Sequence, residues 1–217
     1  MDLALCDVVD LLDVSEETVK RWIAGGSIPS YRLDGQPRFS RMEIENWMLQ
    51  NGFPHGQREG KPVSHHLYRA IHRGNVHTIA ADSKEGVIRE GIDAIAAPLE
   101  LDAPLVTELF LDRERLMPTA LGNGVAVPHT REFLLQGPHD VIALVYPEQP
   151  LKWGALDGEE VHTLFFLFAC DDKRHLTLLA RIAHLAANDE AGEFLRSRPP
   201  LKGVLDYIKQ WEHTLSK

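Results

Sequence analysis

Arg113-Glu114-Arg115-Leu116-Met117-Pro118-Thr119-Ala120-Leu121-Gly122-Asn123-Gly124-Val125-Ala126-Val127-Pro128-His129 sets a histidine directly after a short apolar run. Val125 to Val127 reads as a brief strand. Pro128 fixes the backbone ahead of the histidine, and Gly122 and Gly124 let the chain pass close to its neighbours. A histidine at a strand end among glycines is a candidate for chemistry. A neutral imidazole nitrogen is a usable nucleophile near pH 7, since free histidine has a pKa of about 6.5.

On both sides of this stretch, helix and strand patterns alternate. Lys84 to Ala97 and Pro104 to Arg115 read as helices, and Val141 to Tyr146 and Val161 to Phe168 as strands apolar on both faces. Such strands suit a central sheet covered by helices. His175 to Ala187 reads as a helix with Leu178, Leu179, Ile182 and Ala186 on one face. Helices near Ala191 to Arg196 and Leu201 to Trp211 follow. The expected fold class is α/β, a mixed β-sheet flanked by helices on both sides.

The first fifty residues form a different unit. Leu5, Val8, Val9 and Leu12 follow the i, i+3, i+4, i+7 spacing of a one-faced helix. Asp13-Val14 makes a tight turn. Ser15 is an N-cap, Glu16 and Glu17 favour the positive helix end, and Gly25-Gly26 stops the second helix. Asp34-Gly35 signals a hairpin between Ile28 to Leu33 and Arg38-Phe39. Ser40-Arg41-Met42-Glu43 is a capping box opening a third helix that buries Ile44, Trp47 and Met48. Gly52, Pro54, Gly56, Gly60 and Pro62 then interrupt any periodicity. The expected division is a winged helix-turn-helix domain at 1–50, a linker at 51–64 and an α/β domain at 65–217.

Composition narrows the function classes. The 217 residues carry a net charge of −9, so the chain is no polycation for coating nucleic acid or membrane. Cys6 and Cys170 form neither a disulfide framework nor a metal pair. The apolar run Val161 to Cys170 is half a membrane span and is broken by His162. Acids stand near the N-terminus where a signal peptide carries lysines. The expectation is a cytoplasmic protein with no membrane partner.

Val14-Ser15-Glu16-Glu17-Thr18-Val19-Lys20-Arg21-Trp22, followed by Gly26-Ser27-Ile28-Pro29, resembles the excisionase-like branch of the winged-helix regulators that includes the MerR relatives. The resemblance covers residues 1 to about 50 and implies DNA binding. The second helix would present Glu17, Lys20, Arg21 and Ala24 to a major groove, and Arg32, Arg38 and Arg41 would meet phosphates. Residues 1–60 hold 6 Lys+Arg against 10 Asp+Glu, which is acidic for a DNA reader. Residues 27–42, however, hold three arginines and one aspartate. A three-helix module used for protein contacts is the other reading. If DNA is bound, a single module reads a half-site, which implies a homodimer.

The stretch from Arg113 to His129, with its Arg-Glu segment, Pro-Thr pair and Gly-Asn-Gly-x-Ala-x-Pro-His run, resembles the phosphorylation loop of the fructose, mannitol and nitrogen-regulatory branch of enzyme IIA in the bacterial phosphotransferase system. The likeness extends from about His65 to Trp211. It implies that His129 accepts the phosphoryl group, that Arg113 lies beside it, and that His175 is the second active-site histidine. Arg113 would clamp phosphate oxygens, and His175, opening its helix, would add a donor near unpaired backbone amides. Thr119 reads as a turn or cap residue. Thr130 and Arg131 follow His129 where many relatives have glycine.

The resemblance implies a histidine phosphocarrier as partner and calls for no cofactor or metal. His65, His66, His72, His77, His139, His162 and His184 carry no metal-ligand spacing. Three functions stand open. The chain is a phosphorylation-responsive regulator, a transport component handing phosphate to an enzyme IIB, or a non-catalytic transcriptional regulator.

Overall fold

The computed structural model describes residues 2–12, 14–51, 66–135 and 139–214. Asp13 of the expected turn, all but the first residue of the expected linker, and His65 lie outside the described residues. The N-terminal unit starts with strand β1 (Asp2–Ala4) and helix α1 (Leu5–Leu12), which buries Val8, Val9 and Leu12. Helix α2 (Glu16–Ala24) begins where the Ser15 hydroxyl accepts from the Thr18 amide at 3.1 Å. Strands β2 (Tyr31–Leu33) and β3 (Gln36–Ser40) form a hairpin. Asp34 and Gly35 both hold positive φ, 51° and 77°, as a two-residue turn of matching twist requires. β1 was not foreseen. It pairs antiparallel with β3, giving the order β1-β3-β2. Helix α3 (Arg41–Asn51) buries Ile44 and Met48. Trp47 is half-buried, and its Nε1 donates to the Ser27 carbonyl.

The second unit opens with helix α4 (His66–Arg73) and strand β4 (Val76–Ile79), two elements the periodicity did not reveal. Helix α5 (Lys84–Ala96) is capped by Ser83, and helix α6 (Ala103–Leu116) by Asp102 with Pro104 in its first turn. Strands β5 (Ala120–Gly122) and β6 (Val125–Ala126) form a tight antiparallel pair. Strands β7 (Val141–Pro147) and β8 (Thr163–Phe168) are buried along their whole length. Helices α7 (Asp172–Ala186), α8 (Asp189–Arg196) and α9 (Leu201–Thr214) complete the unit.

The sheet runs β4-β7-β8-β6-β5, with β4·β7 and β6·β8 parallel and the other pairs antiparallel. Side chains alternate across it. Ile142, Leu144, Phe165 and Leu167 join the cluster under α4, α7, α8 and α9, while Ala143, Val145, Leu164 and Phe166 join the one under α5 and α6. Helices therefore cover both faces of a mixed sheet, as the alternating pattern implied. The first cluster continues through Leu3, Val8, Leu12 and Ile44, so the N-terminal unit packs on the α7 side of the sheet.

Candidate phosphoryl site

His129 follows β6 and bridges in parallel to Leu167 of β8, with the Leu167 amide donating to the Pro128 carbonyl at 3.0 Å. The β5–β6 turn depends on Gly124. It holds φ +70°, and a Cβ there would lie 2.2 Å from Cδ2 of His162. Thr119 is tied down by Glu114, which accepts from both its amide and its hydroxyl and pairs with Lys84 at 2.9 Å. The Thr119 carbonyl in turn accepts from Val127. Thr119 thus serves the turn before the histidine, and its hydroxyl is spent on Glu114.

The His129 ring is fully buried, and Nδ1 lies 2.7 Å from the Val127 carbonyl. A carbonyl only accepts, so Nδ1 carries a proton and Nε2 is the nitrogen left for chemistry. Arg113, in the last turn of α6, points its Nε at Nε2 across 3.1 Å and anchors Nη1 on the Met117 carbonyl at 3.0 Å. His175 packs edge-on against His129 with ring centroids 5.0 Å apart. All three side chains are at most 3% exposed. The structure thus brings together the three residues expected to act at this site.

One part of the expectation needs correction. His175 does not open its helix. Asp171 caps α7 by accepting from Arg174, the helix starts at Asp172, and the His175 amide is bonded to the Asp171 carbonyl at 2.9 Å. His175 therefore offers its ring and no unpaired amide. Burial pushes its pKa down to about 4, against the raising effect of a nearby carboxylate.

That carboxylate is Glu45, and nothing in the sequence singled it out. It sits on α3 of the N-terminal unit and is fully buried. Its Oε1 accepts from Arg113 Nε at 3.0 Å and Nη2 at 2.9 Å and lies 2.8 Å from His129 Nε2. Its Oε2 lies 3.6 Å from His175 Nε2. Burial disfavours the charged form of Glu45, but the charge and hydrogen bonds of His129 and then His175 outweigh it and hold the carboxyl well below the usual range. Glu45, His129 and His175 together have the donor types for a metal ion. A divalent cation there would stand against the Arg113 guanidinium, already bonded to Oε1 and Nε2. An arginine flanked by two imidazoles is better suited to an anion.

The expected DNA-facing residues are placed unevenly. Glu17, Lys20 and Arg21 are exposed on α2, with Lys20 paired to Glu16 at 2.7 Å. Arg32 is exposed on β2 and Arg38 half-buried on β3. Arg41 departs from the expected patch. It turns into the second unit, pairs with Asp172 at 2.5 Å and lies over the Phe133 ring. In this arrangement it is not available to a DNA phosphate.

Two family models match the chain. Residues 71–211 match "Phosphoenolpyruvate-dependent sugar phosphotransferase system, EIIA 2", and residues 3–52 match "Helix-turn-helix domain". A nitrogen regulatory protein of Pseudomonas aeruginosa is 32% identical over 133 residues, covering 60% of this chain and 85% of that protein. The fructose-specific EIIABC component of Bacillus subtilis is 27% identical over 135 residues, 61% of this chain and only 21% of that protein. The crystal structure of the nitrogen regulatory protein IIA-Ntr from Neisseria meningitidis superposes with a TM-score of 0.56 at 24% identity, covering 65% of this chain and 94% of that one. No helix among the described residues is long and apolar enough to cross a membrane.

Proposed function

The chain belongs to the phosphoenolpyruvate-dependent sugar phosphotransferase system EIIA 2 family, and on that basis we propose that it is a phosphohistidine carrier of the nitrogen-regulatory kind whose phosphoryl group is a signal. His129 accepts the group at Nε2 from a histidine phosphocarrier. Arg113 neutralises the transferring oxygens, and His175 adds a donor from the other side. The observation that carries the reading is Arg113 held 3.1 Å from Nε2 of a ring fixed through Nδ1 by the Val127 carbonyl, with the His175 ring packed edge-on against it. Phosphoryl transfer depends mainly on such positioning and charge neutralisation.

The division proposed is 1–50, 51–64 and 65–217, with a cytoplasmic location. The N-terminal domain would bind DNA through Glu17, Lys20, Arg21, Arg32 and Arg38, with Arg41 joining them only once released from Asp172, as a homodimer that reads two half-sites. Incubation with phosphoenolpyruvate, the first enzyme of the system and the phosphocarrier tests the core of this reading. Label on the wild-type chain and none on His129→Ala is the expected result, and an unlabelled wild type ends it.

Similarity to an EIIABC component favours a second reading, in which the group passes on to an enzyme IIB. Rapid discharge of the labelled chain to one sugar-specific partner would establish that role in place of the signal.

A further inference from the structure

Glu45 has no part in phosphoryl transfer, yet its Oε1 is bonded to both Arg113 and His129 at the centre of the site. We propose that the Glu45 carboxylate is a built-in occupant of the phosphoryl subsite, so that docking of the helix-turn-helix domain and phosphorylation of His129 exclude each other. This rests on the phosphocarrier reading of His129.

Position is the first argument. Arg113 and the two imidazoles all aim at Glu45, whose Oε1 stands 2.8 Å from Nε2. A phosphorus bonded to Nε2 and its oxygens would need that same space. Access is the second. His129 is 0% exposed with α3 in place, so the phosphohistidine of a protein donor has no route to it. Charge is the third. A phosphoryl group adds about −1.5 to −2 by analogy with phosphate esters, and a buried carboxylate cannot share its cations with a second anion.

A fourth argument comes from the nucleophile. In the neutral ring, Arg113 donates to the Nε2 lone pair. The short contact to Glu45 is attractive only when Nε2 carries a proton, and a protonated Nε2 cannot attack. In the open state the Nε2 lone pair forms the new N–P bond while the donor's N–P bond breaks. The electron pair returns to the donor nitrogen, and a donor ring that was protonated leaves as neutral imidazole.

The docked surface extends beyond Glu45. α1 and α3 lie on α7, and Arg41 forms an ion pair with Asp172. Opening therefore also returns Arg41 to solvent. Because the two events compete for one site, each weakens the other equally.

The test uses the full-length chain. Label uptake from the phosphorylated carrier is timed for wild type, Glu45→Gln and Arg41→Ala, the last lying outside the phosphoryl site. Amide exchange across α3 is measured before and after phosphorylation, with His129→Ala as control. Glu45→Gln should take up label about tenfold faster or more, because losing a buried ion-pair partner opens the docked state. Arg41→Ala should shift in the same direction. Phosphorylation should speed α3 exchange in wild type and leave His129→Ala unchanged. Equal uptake by all three chains, with α3 exchange unaltered, overturns the gate and leaves the carrier reading standing. No label on any chain overturns both.

Discussion

Replacing Arg113 and Glu45 by glutamine, singly and together, probes the contact that joins the two domains. Their side chains are 3% and 1% exposed and lie 2.9 Å apart. Removing one member of a buried pair strands the other, at a cost of about 3–5 kcal/mol. Glu45→Gln should fall near the upper end, because Arg113 keeps only the Met117 carbonyl and the His129 ring as partners. Arg113→Gln should fall near the lower end, because Glu45 retains His129 and His175. The double variant strands neither charge, so the two losses should not add. A coupling of ~2–3 kcal/mol is expected from residues in direct contact. Amide exchange of α3 in denaturant measures each corner of the cycle. Losses that add to within ~0.5 kcal/mol would mean that the two side chains do not meet in solution.

Further outcomes follow from the same geometry. His175→Ala should slow phosphoryl uptake by about 10²-fold while leaving the label on His129, as for other lost transition-state donors. His175 is buried neutral with its pKa near 4, so the unfolded chain binds more protons between that value and 6.5. Stability should therefore fall by ~3 kcal/mol as pH drops through that window, read from urea midpoints at several pH values. Gly124→Ala puts a Cβ on His162 and an L-residue at φ +70°, and should lose at least ~2 kcal/mol in the same assay. Arg21→Ala should weaken DNA binding and lower the salt slope by about 1 in a titration.

Local chemistry made much of the fold legible. The Ser15 cap, the Asp34-Gly35 turn and the α5, α6, β7 and β8 patterns act within a few residues, so each could be read without knowing the rest. β1 could not, because three residues ahead of a helix become a strand only by pairing with β3, more than thirty residues on. α4 carries a helical spacing in Leu67, Ala70 and Ile71, but over only eight residues, and β4 has only four, too few to show a period. His175 was drawn one turn too early in its helix because Asp171 starts α7 sooner than the apolar face suggests.

The site divides in the same way. Arg113, His129 and His175 were legible because one long stretch carries two of them and a resemblance supplies the third. Glu45 was not. Its partners Arg113 and His129 lie 68 and 84 residues away. In α3 it sits beside the apolar face of Ile44 and Met48 and reads as one more solvated acid. Only the docking of α3 against β5 and α7 turns it inward. Arg41 shows the same limit, since a cation at a helix start faces DNA or Asp172 according to how two domains meet.

Mapping the phosphoryl group after incubation with phosphoenolpyruvate, the first enzyme and the phosphocarrier addresses the central claim most directly. Mass spectrometry at neutral pH, which preserves the N–P bond, should find one phosphohistidine at residue 129 and none in His129→Ala. A phosphoryl group on His175 or on any other residue, or none at all, would contradict the account.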